Sequence, residues 1–242
     1  MSITANVERA KADLDAAYAA GKQAEYDAFW DTLQENGKRT AYNRGFSGAS
    51  WNDKTFFPKY DIRPSWAIVG TFIECGVTDL EARLKECGVV LDTSNNANYG
   101  QVFHSGAFTI LPEIVFSGFA SSMYETFAKT SALHTIRKIS LLEGFNQAMN
   151  DTFTKCDALE NVVFEGVIPK NINMQWSTKL SKASIMSIMG ALSTTATGQT
   201  VTFSLTAVNT AFATTAGGTD GSTSAEWAAL IATRPNWTIA LA

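Results

Sequence analysis

Hydrophobic positions along this chain follow three different rhythms. From Ile3 to about Gln34 they recur at alternating steps of four and three, at Ile3, Val7, Ala10, Leu14, Ala17, Gly21, Ala24 and Ala28, while Glu8, Arg9, Lys11, Asp13 and Asp15 fall off that stripe. Heptad spacing in a proline-free run rich in Ala, Leu, Glu, Lys and Gln predicts a long helix over residues 1–36. The small residues Ala10, Ala17, Gly21, Ala24 and Ala28, with Val7 and Leu14, suit close helix approach. They are expected to form a seam for self-association or docking, the alternative being an amphipathic helix laid on its own domain. Tyr26, Phe29, Trp30 and Leu33 add a bulky second face, and Asn36-Gly37 supplies a helix stop. Residues 37–98 then read as an aromatic-rich linker and N-terminal cap. Tyr42, Phe46, Trp51, Phe56, Phe57 and Tyr60 sit in an irregular stretch that is expected to wrap a core, a sugar-binding aromatic platform being the alternative.

The second rhythm is a repeat. MYETFAKTSALHTI, from Met123 to Ile136, returns as MNDTFTKCDALENV, from Met149 to Val162, at an offset of 26 residues. Thr126/Thr152, Phe127/Phe153, Lys129/Lys155, Ala132/Ala158, Leu133/Leu159 and Ile136/Val162 correspond. A degraded copy starts at Phe103, with Phe108 and Leu111 in the later apolar slots, and Phe212 is a candidate fourth. A period in the range of about 20 to 29 residues with apolar slots F-x-x-C/T-x-x-L-x-x-I predicts stacked coils, each burying Phe, Leu and Ile against its neighbours and adding one strand to a parallel sheet. Residues 99–168 are assigned to this array. Cys156, with Thr130 and Gly106 in its equivalent slots, is expected to be a small core residue.

Helix and strand signals flank the array. Thr78-Asp79-Leu80-Glu81 reads as a capping box, Leu80 and Leu84 share a face, and Cys87-Gly88 precedes a strand at Val89 to Leu91. In the C-terminal cap, residues 169–242, Ser181 opens a helix and Thr200 to Leu205 reads as a strand. Thr223 with Glu226 caps another helix, and Trp237 to Leu241 closes the chain as a strand. Thr214 to Ser224 reads as a flexible loop. The fold expected is α/β: a short capped solenoid with a parallel sheet behind a long N-terminal helix.

The repeat unit A-F-x-x-C-x-x-L-x-x-I between Phe103 and Ile168 resembles the BspA-like leucine-rich repeats of bacterial surface proteins and phage-encoded proteins. The leader AGKQAEYDAFWDTLQENGKRTAYNRGFSGASWNDKTFFPKYDIRP and the tail LSKASIMSIMGALSTTATGQTVTF look like those of such proteins in Gram-positive gut bacteria and their phages. This resemblance implies a leucine-rich-repeat fold. It also implies a non-enzymatic virion component, such as a tail, baseplate or fibre part, or else a bacterial surface adhesin or intracellular protein-binding scaffold.

Composition and chemistry narrow the classes. Lys and Arg number 19 against 23 Asp and Glu, a net charge of −4 with no basic stripe, so nucleic acid is not an expected partner. No segment approaches the ~18 consecutive apolar residues that span a bilayer, and the N-terminus lacks the pattern of a secretory signal. Assembly within a virion is therefore favoured over the cell surface or the cytoplasm. Three cysteines without C-x-x-C spacing, and His104 and His134 without metal-ligand spacing, predict no metal, no cofactor and no catalytic residue. Cys87 and Cys156 are expected to be buried thiols. In residues 171–176, Ile172, Met174 and Trp176 alternate with Asn171, Asn173 and Gln175, so the three amides are the candidate binding row, facing away from the core. Expected partners are further copies of the chain or other virion proteins, with a host surface protein or glycan as a possible target.

Overall fold

The computed structural model describes residues 72–87, 90–94 and 98–242. The seam Val7, Ala10, Leu14, Ala17, Gly21, Ala24 and Ala28, the aromatic stretch of residues 40–65, Val89 and the Cys87 side chain lie outside the described residues. Within them the fold is mixed α/β, with two small parallel sheets and no closed solenoid.

The first sheet has strands β1 (Ile110–Phe116), β2 (Thr135–Leu141) and β3 (Asn161–Glu165) in that order, preceded by helix α1 (Leu80–Cys87). Leu111 pairs with Ile136, and Ile136 with Val162, the register that the aligned repeats require. In β1 and β2 the inward residues lie three apart, Leu111 with Ile114 and Ile136 with Ile139, so two outward residues separate them. In β3 one residue, Val163, separates Val162 from Phe164, and the β2–β3 register shifts between Ile136 and Ile139 to absorb the difference.

Behind the sheet the phenylalanines stack. Ring centroids of Phe103 and Phe127 are 5.4 Å apart and those of Phe127 and Phe153 5.3 Å, both with nearly parallel planes. Phe72 extends the ladder by one, 5.5 Å from Phe103. Its segment Phe72-x-x-Cys75 is a copy of Phe153-x-x-Cys156 that begins before the expected array. The same turn closes each copy: the amides of Cys75, Gly106, Thr130 and Cys156 donate to the carbonyls of Phe72, Phe103, Phe127 and Phe153. Met174-x-x-Ser177-x-x-Leu180 repeats the geometry, with Ser177 N–H on Met174 O at 3.0 Å. Backbone bonds join successive turns, from Phe103 N to Thr126 O at 2.8 Å and from Phe127 N to Thr152 O at 2.9 Å. Two residues after each phenylalanine, Glu74, Ser105, Lys129 and Lys155 all take left-handed backbone, with φ between 53° and 60°.

The aligned threonines now have a role. Thr126 Oγ1 donates to Tyr99 O and Thr152 Oγ1 to Met123 O, each at 3.0 Å, tying one turn to the turn before it. Cys156, fully buried, donates to Phe127 O at 3.1 Å, as Thr130 Oγ1 does at 2.5 Å.

The second sheet follows the order β4 (Ile172–Met174), β5 (Gln199–Phe203), β6 (Trp237–Leu241). A parallel bridge from Met149 to Ile172 links it to the repeats. Helix α2 (Lys182–Ala191) covers the outer edge of β3 with side chains in place of a strand. Ser184 Oγ accepts from Val162 N at 2.9 Å and Ser187 Oγ accepts from Phe164 N at 2.8 Å.

Several expectations are corrected here. Asp79, not Thr78, caps α1, its Oδ1 accepting Ala82 N at 2.9 Å, because the Thr78 carbonyl is spent on Thr109 and Ile110. Leu91 belongs to none of the strands. Phe212 does not start a repeat: the β5 strand stops at Phe203, and helix α3 (Leu205–Ala211) carries Phe212 at its end, packed 5.1 Å from Trp227. Ser224 rather than Thr223 caps helix α4 (Ala225–Ala232), accepting from Trp227 N. The segment Thr214 to Ser224 is pinned, with both Asp220 oxygens on Thr214 and Ser222 N on Asn209 Oδ1. Trp176 is exposed instead of facing the core, because β4 ends at Met174 and the next residues turn.

Candidate recognition surface

The two-residue spacing between inward positions places Pro112 and Glu113 on the outside of β1 and Arg137 and Lys138 on the outside of β2. A charged row results. Lys138 Nζ lies 2.9 Å from both Glu113 and Glu165, bridging all three strands. Ser140 Oγ donates to Glu113 at 2.6 Å and Arg137 Nε to Glu81 of α1 at 2.8 Å. The Ser140 hydroxyl first, and the Lys138 ammonium second, hold the Glu113 carboxyl below its ordinary range. Lys138 is raised by Glu165 and then Glu113. Two cations, Arg137 and Lys138, are shared among three carboxylates, Glu81, Glu113 and Glu165, so this row carries no excess positive charge to attract a polyanion.

Turns at the carboxyl end of these strands carry exposed apolar side chains: Phe119 after β1, 78% exposed, Leu142 after β2, 42%, and Val167 after β3, 55%. The turns are pressed together. A Cβ on Gly118 would lie 2.0 Å from Glu143 O, and one on Gly166, at φ +93°, 2.2 Å from Leu141 O. Glycine is what lets these adjacent turns, which carry Phe119, Leu142 and Val167 at one end of the sheet, approach closely. Exposed apolar groups beside a row of ion pairs make this the candidate contact surface among the described residues.

Asn171, Asn173 and Gln175 lie on and beside β4. Asn171 Oδ1 accepts Thr200 N at 2.8 Å, its own N–H donates to Gln199 Oε1 at 3.1 Å, and Asn173 Oδ1 accepts Gln175 N at 3.0 Å. Asn171 and Asn173 serve the backbone of β5 and of the turn after β4. All three amide residues are half-buried.

His104 and His134 are far apart in role. His134 is exposed and paired with Glu160. His104 sits between Ser105 and Glu125, its Nε2 3.6 Å from Glu125 Oε2, and burial lowers its pKa. Burial pushes the thiols of Cys75 and Cys156 up to about 12, which keeps both protonated at neutral pH. Among the described residues no group of three or more His, Cys, Asp or Glu side chains is placed to hold a metal ion. None of the described helices is long and apolar enough to cross a membrane.

Sequence reasoning missed the rim and the charged row. Their signals were present: a glycine beyond each strand, at Gly118, Gly144 and Gly166, each followed by a large apolar residue, and in β2 the pair Arg137-Lys138 between the inward Ile136 and Ile139. Compared with family models, curated proteins and solved structures, the chain matches none.

Proposed function

We propose that this is a non-enzymatic recognition protein: a short leucine-rich-repeat array of the BspA-like kind, capped by the β4–β6 unit, that displays the rim of Phe119, Leu142 and Val167 and the charged sheet face to a protein partner. The observation that carries this reading is the stack of equivalent turns. Phe72, Phe103, Phe127 and Phe153 consume the interior of each turn, leaving chemistry only on the outside. On that outside Lys138 pairs with Glu113 and Glu165, and Arg137 with Glu81. The setting we propose is a phage virion, as part of a tail, baseplate or fibre, supported by the resemblance of the leader and tail. The N-terminal seam would hold the chain in the particle. Quantitative mass spectrometry of gradient-purified particles from the source culture tests this, with peptides of the chain expected at a fixed ratio to the major capsid protein. Their absence from particles overturns the virion setting, and cell fractionation then separates a surface adhesin from a cytoplasmic scaffold.

A further inference from the structure

Strand β6 is an edge of the second sheet as the described residues form it. Among the described residues it pairs with β5 alone, and its backbone on that side is used: Ala242 N donates to Phe203 O at 3.0 Å and Ala242 O accepts Leu205 N at 2.9 Å. Alternation along a strand then points the N–H and C=O of Ile239 and Leu241 to the opposite, open side. Natural sheets blunt such an edge with lysine, proline or a bulge. Residues 237–242, Trp-Thr-Ile-Ala-Leu-Ala, contain none of these and no charge. Helix α4, which precedes β6 in the chain, buries only Trp227, leaving Ala225, Ala228, Ala229 and Ala232 exposed and Leu230 and Ile231 half-buried. Its single charge, Glu226, is paired with Lys182, and Arg234 is spent on the carbonyls of Leu192 and Gly190.

From this we infer that the β6 edge is an interface between two copies of the chain, joined antiparallel about a two-fold axis through Ala240. The occupant follows from self-complementarity. Only an antiparallel pairing makes one edge its own partner. With the axis at Ala240, Ile239 of each copy lies opposite Leu241 of the other, and both pairs are outward-facing residues that exchange N–H···O bonds. Alanine meets alanine at the axis, Thr238 meets Ala242, and no like charges oppose. The two three-stranded sheets become one six-stranded sheet. This contact uses residues separate from the N-terminal seam and is independent of the proposed recognition function.

The test uses the full chain with a charge swap at the axis. Ala240→Lys and Ala240→Glu each place like charges about 5 Å apart across the pair, while a mixture of the two places opposite ones. Both variants are first shown to melt as the parent does. In sedimentation velocity the mixture is expected to form a species at least twice the mass of that in either variant alone. A mixture no larger than its components overturns the inference. As a check specific to this position, Ala240→Cys in a Cys87→Ser background is expected to form an intermolecular disulfide at least tenfold faster than a control Thr233→Cys, because the paired Cβ atoms fall near bridging distance. Equal rates also overturn it.

Discussion

Phe153 has ring contacts on two sides, with Phe127 at 5.3 Å and Phe164 at 6.4 Å, and no exposed surface. Phe153→Ala is therefore expected to cost about 3 to 5 kcal/mol, the range for emptying an aromatic site in a packed core. Chemical denaturation monitored by tryptophan fluorescence reads this as a lowered midpoint at unchanged slope. The buried thiols give a prediction about pH. Native Cys75 and Cys156 keep their protons up to about 12, whereas unfolded thiols lose theirs above the ordinary value of 9.0. Between those values the unfolded state binds fewer protons, so stability falls as pH rises through 9. Glu113 and Glu125 act at the other end. Hydrogen bonds from Ser140 and Gln101, respectively, lead in lowering them, so their contribution is present above the ordinary glutamate value of 4.5 and is lost as pH falls below it. Thermal midpoints across pH are expected to form a plateau between these limits. Alkylation of Cys75 and Cys156 should occur only upon unfolding.

Among the elements, α2 does the work of a strand. Ser184 and Ser187 fill the hydrogen-bonding positions that a fourth strand would offer to Val162 and Phe164. Removing either hydroxyl leaves a strand amide without its partner, at a cost of about 1 to 3 kcal/mol where the amide stays dry. Hydrogen exchange of Ser184→Ala and Ser187→Ala is expected to speed at the Val162 and Phe164 amides respectively, before any change at Ile114 on β1. This element also shows what was legible in the sequence. Ser181 as the cap and Ile185, Ile188 and Met189 as the buried face follow from spacing alone, and the structure has all of them. That Ser184 and Ser187 face a strand edge did not follow, because a serine on a helix carries no periodic signal. The repeat register was legible because Phe, Leu and Ile recur in identical slots. Phe72 escaped notice because a longer insertion, containing α1, separates it from Phe103. Helix α3 escaped because Leu205-Thr-Ala-Val is apolar and β-branched enough to read as a continued strand. The rim of Phe119, Leu142 and Val167 depends on which way short turns point, which local sequence leaves open.

For the molecule as a whole, the proposed recognition rim and the core are built from different residues. Phe119 and Val167 are more than half exposed, so Phe119→Asp and Val167→Asp are expected to leave the melting temperature within about 1 to 2 °C, as surface changes within ±0.5 kcal/mol do. Partner binding, measured by pull-down of labelled chain on target cells or on particle proteins, is expected to drop at least tenfold, since a buried carboxylate without a partner is costly in an apolar contact. Unchanged binding in both variants would remove the rim from the interface. The Glu113–Lys138–Glu165 row is solvent-screened and contributes little to stability.

The register between strands sets how this molecule can vary in length. From β1 to β2 the pairing advances by a constant 25 residues, from Ile110 with Thr135 to Phe116 with Leu141. Tandem duplication of residues 110–134 adds one step to a staircase whose treads already match, and unequal recombination within that stretch would yield longer or shorter relatives that still close. From β2 to β3 the advance changes within the strand, and beyond β3 two serines occupy the landing where a further tread would rest. Growth is open on one side of β2 and shut on the other. Variants of this lineage should therefore differ in the number of β1-like units and keep a single β3–α2 terminus.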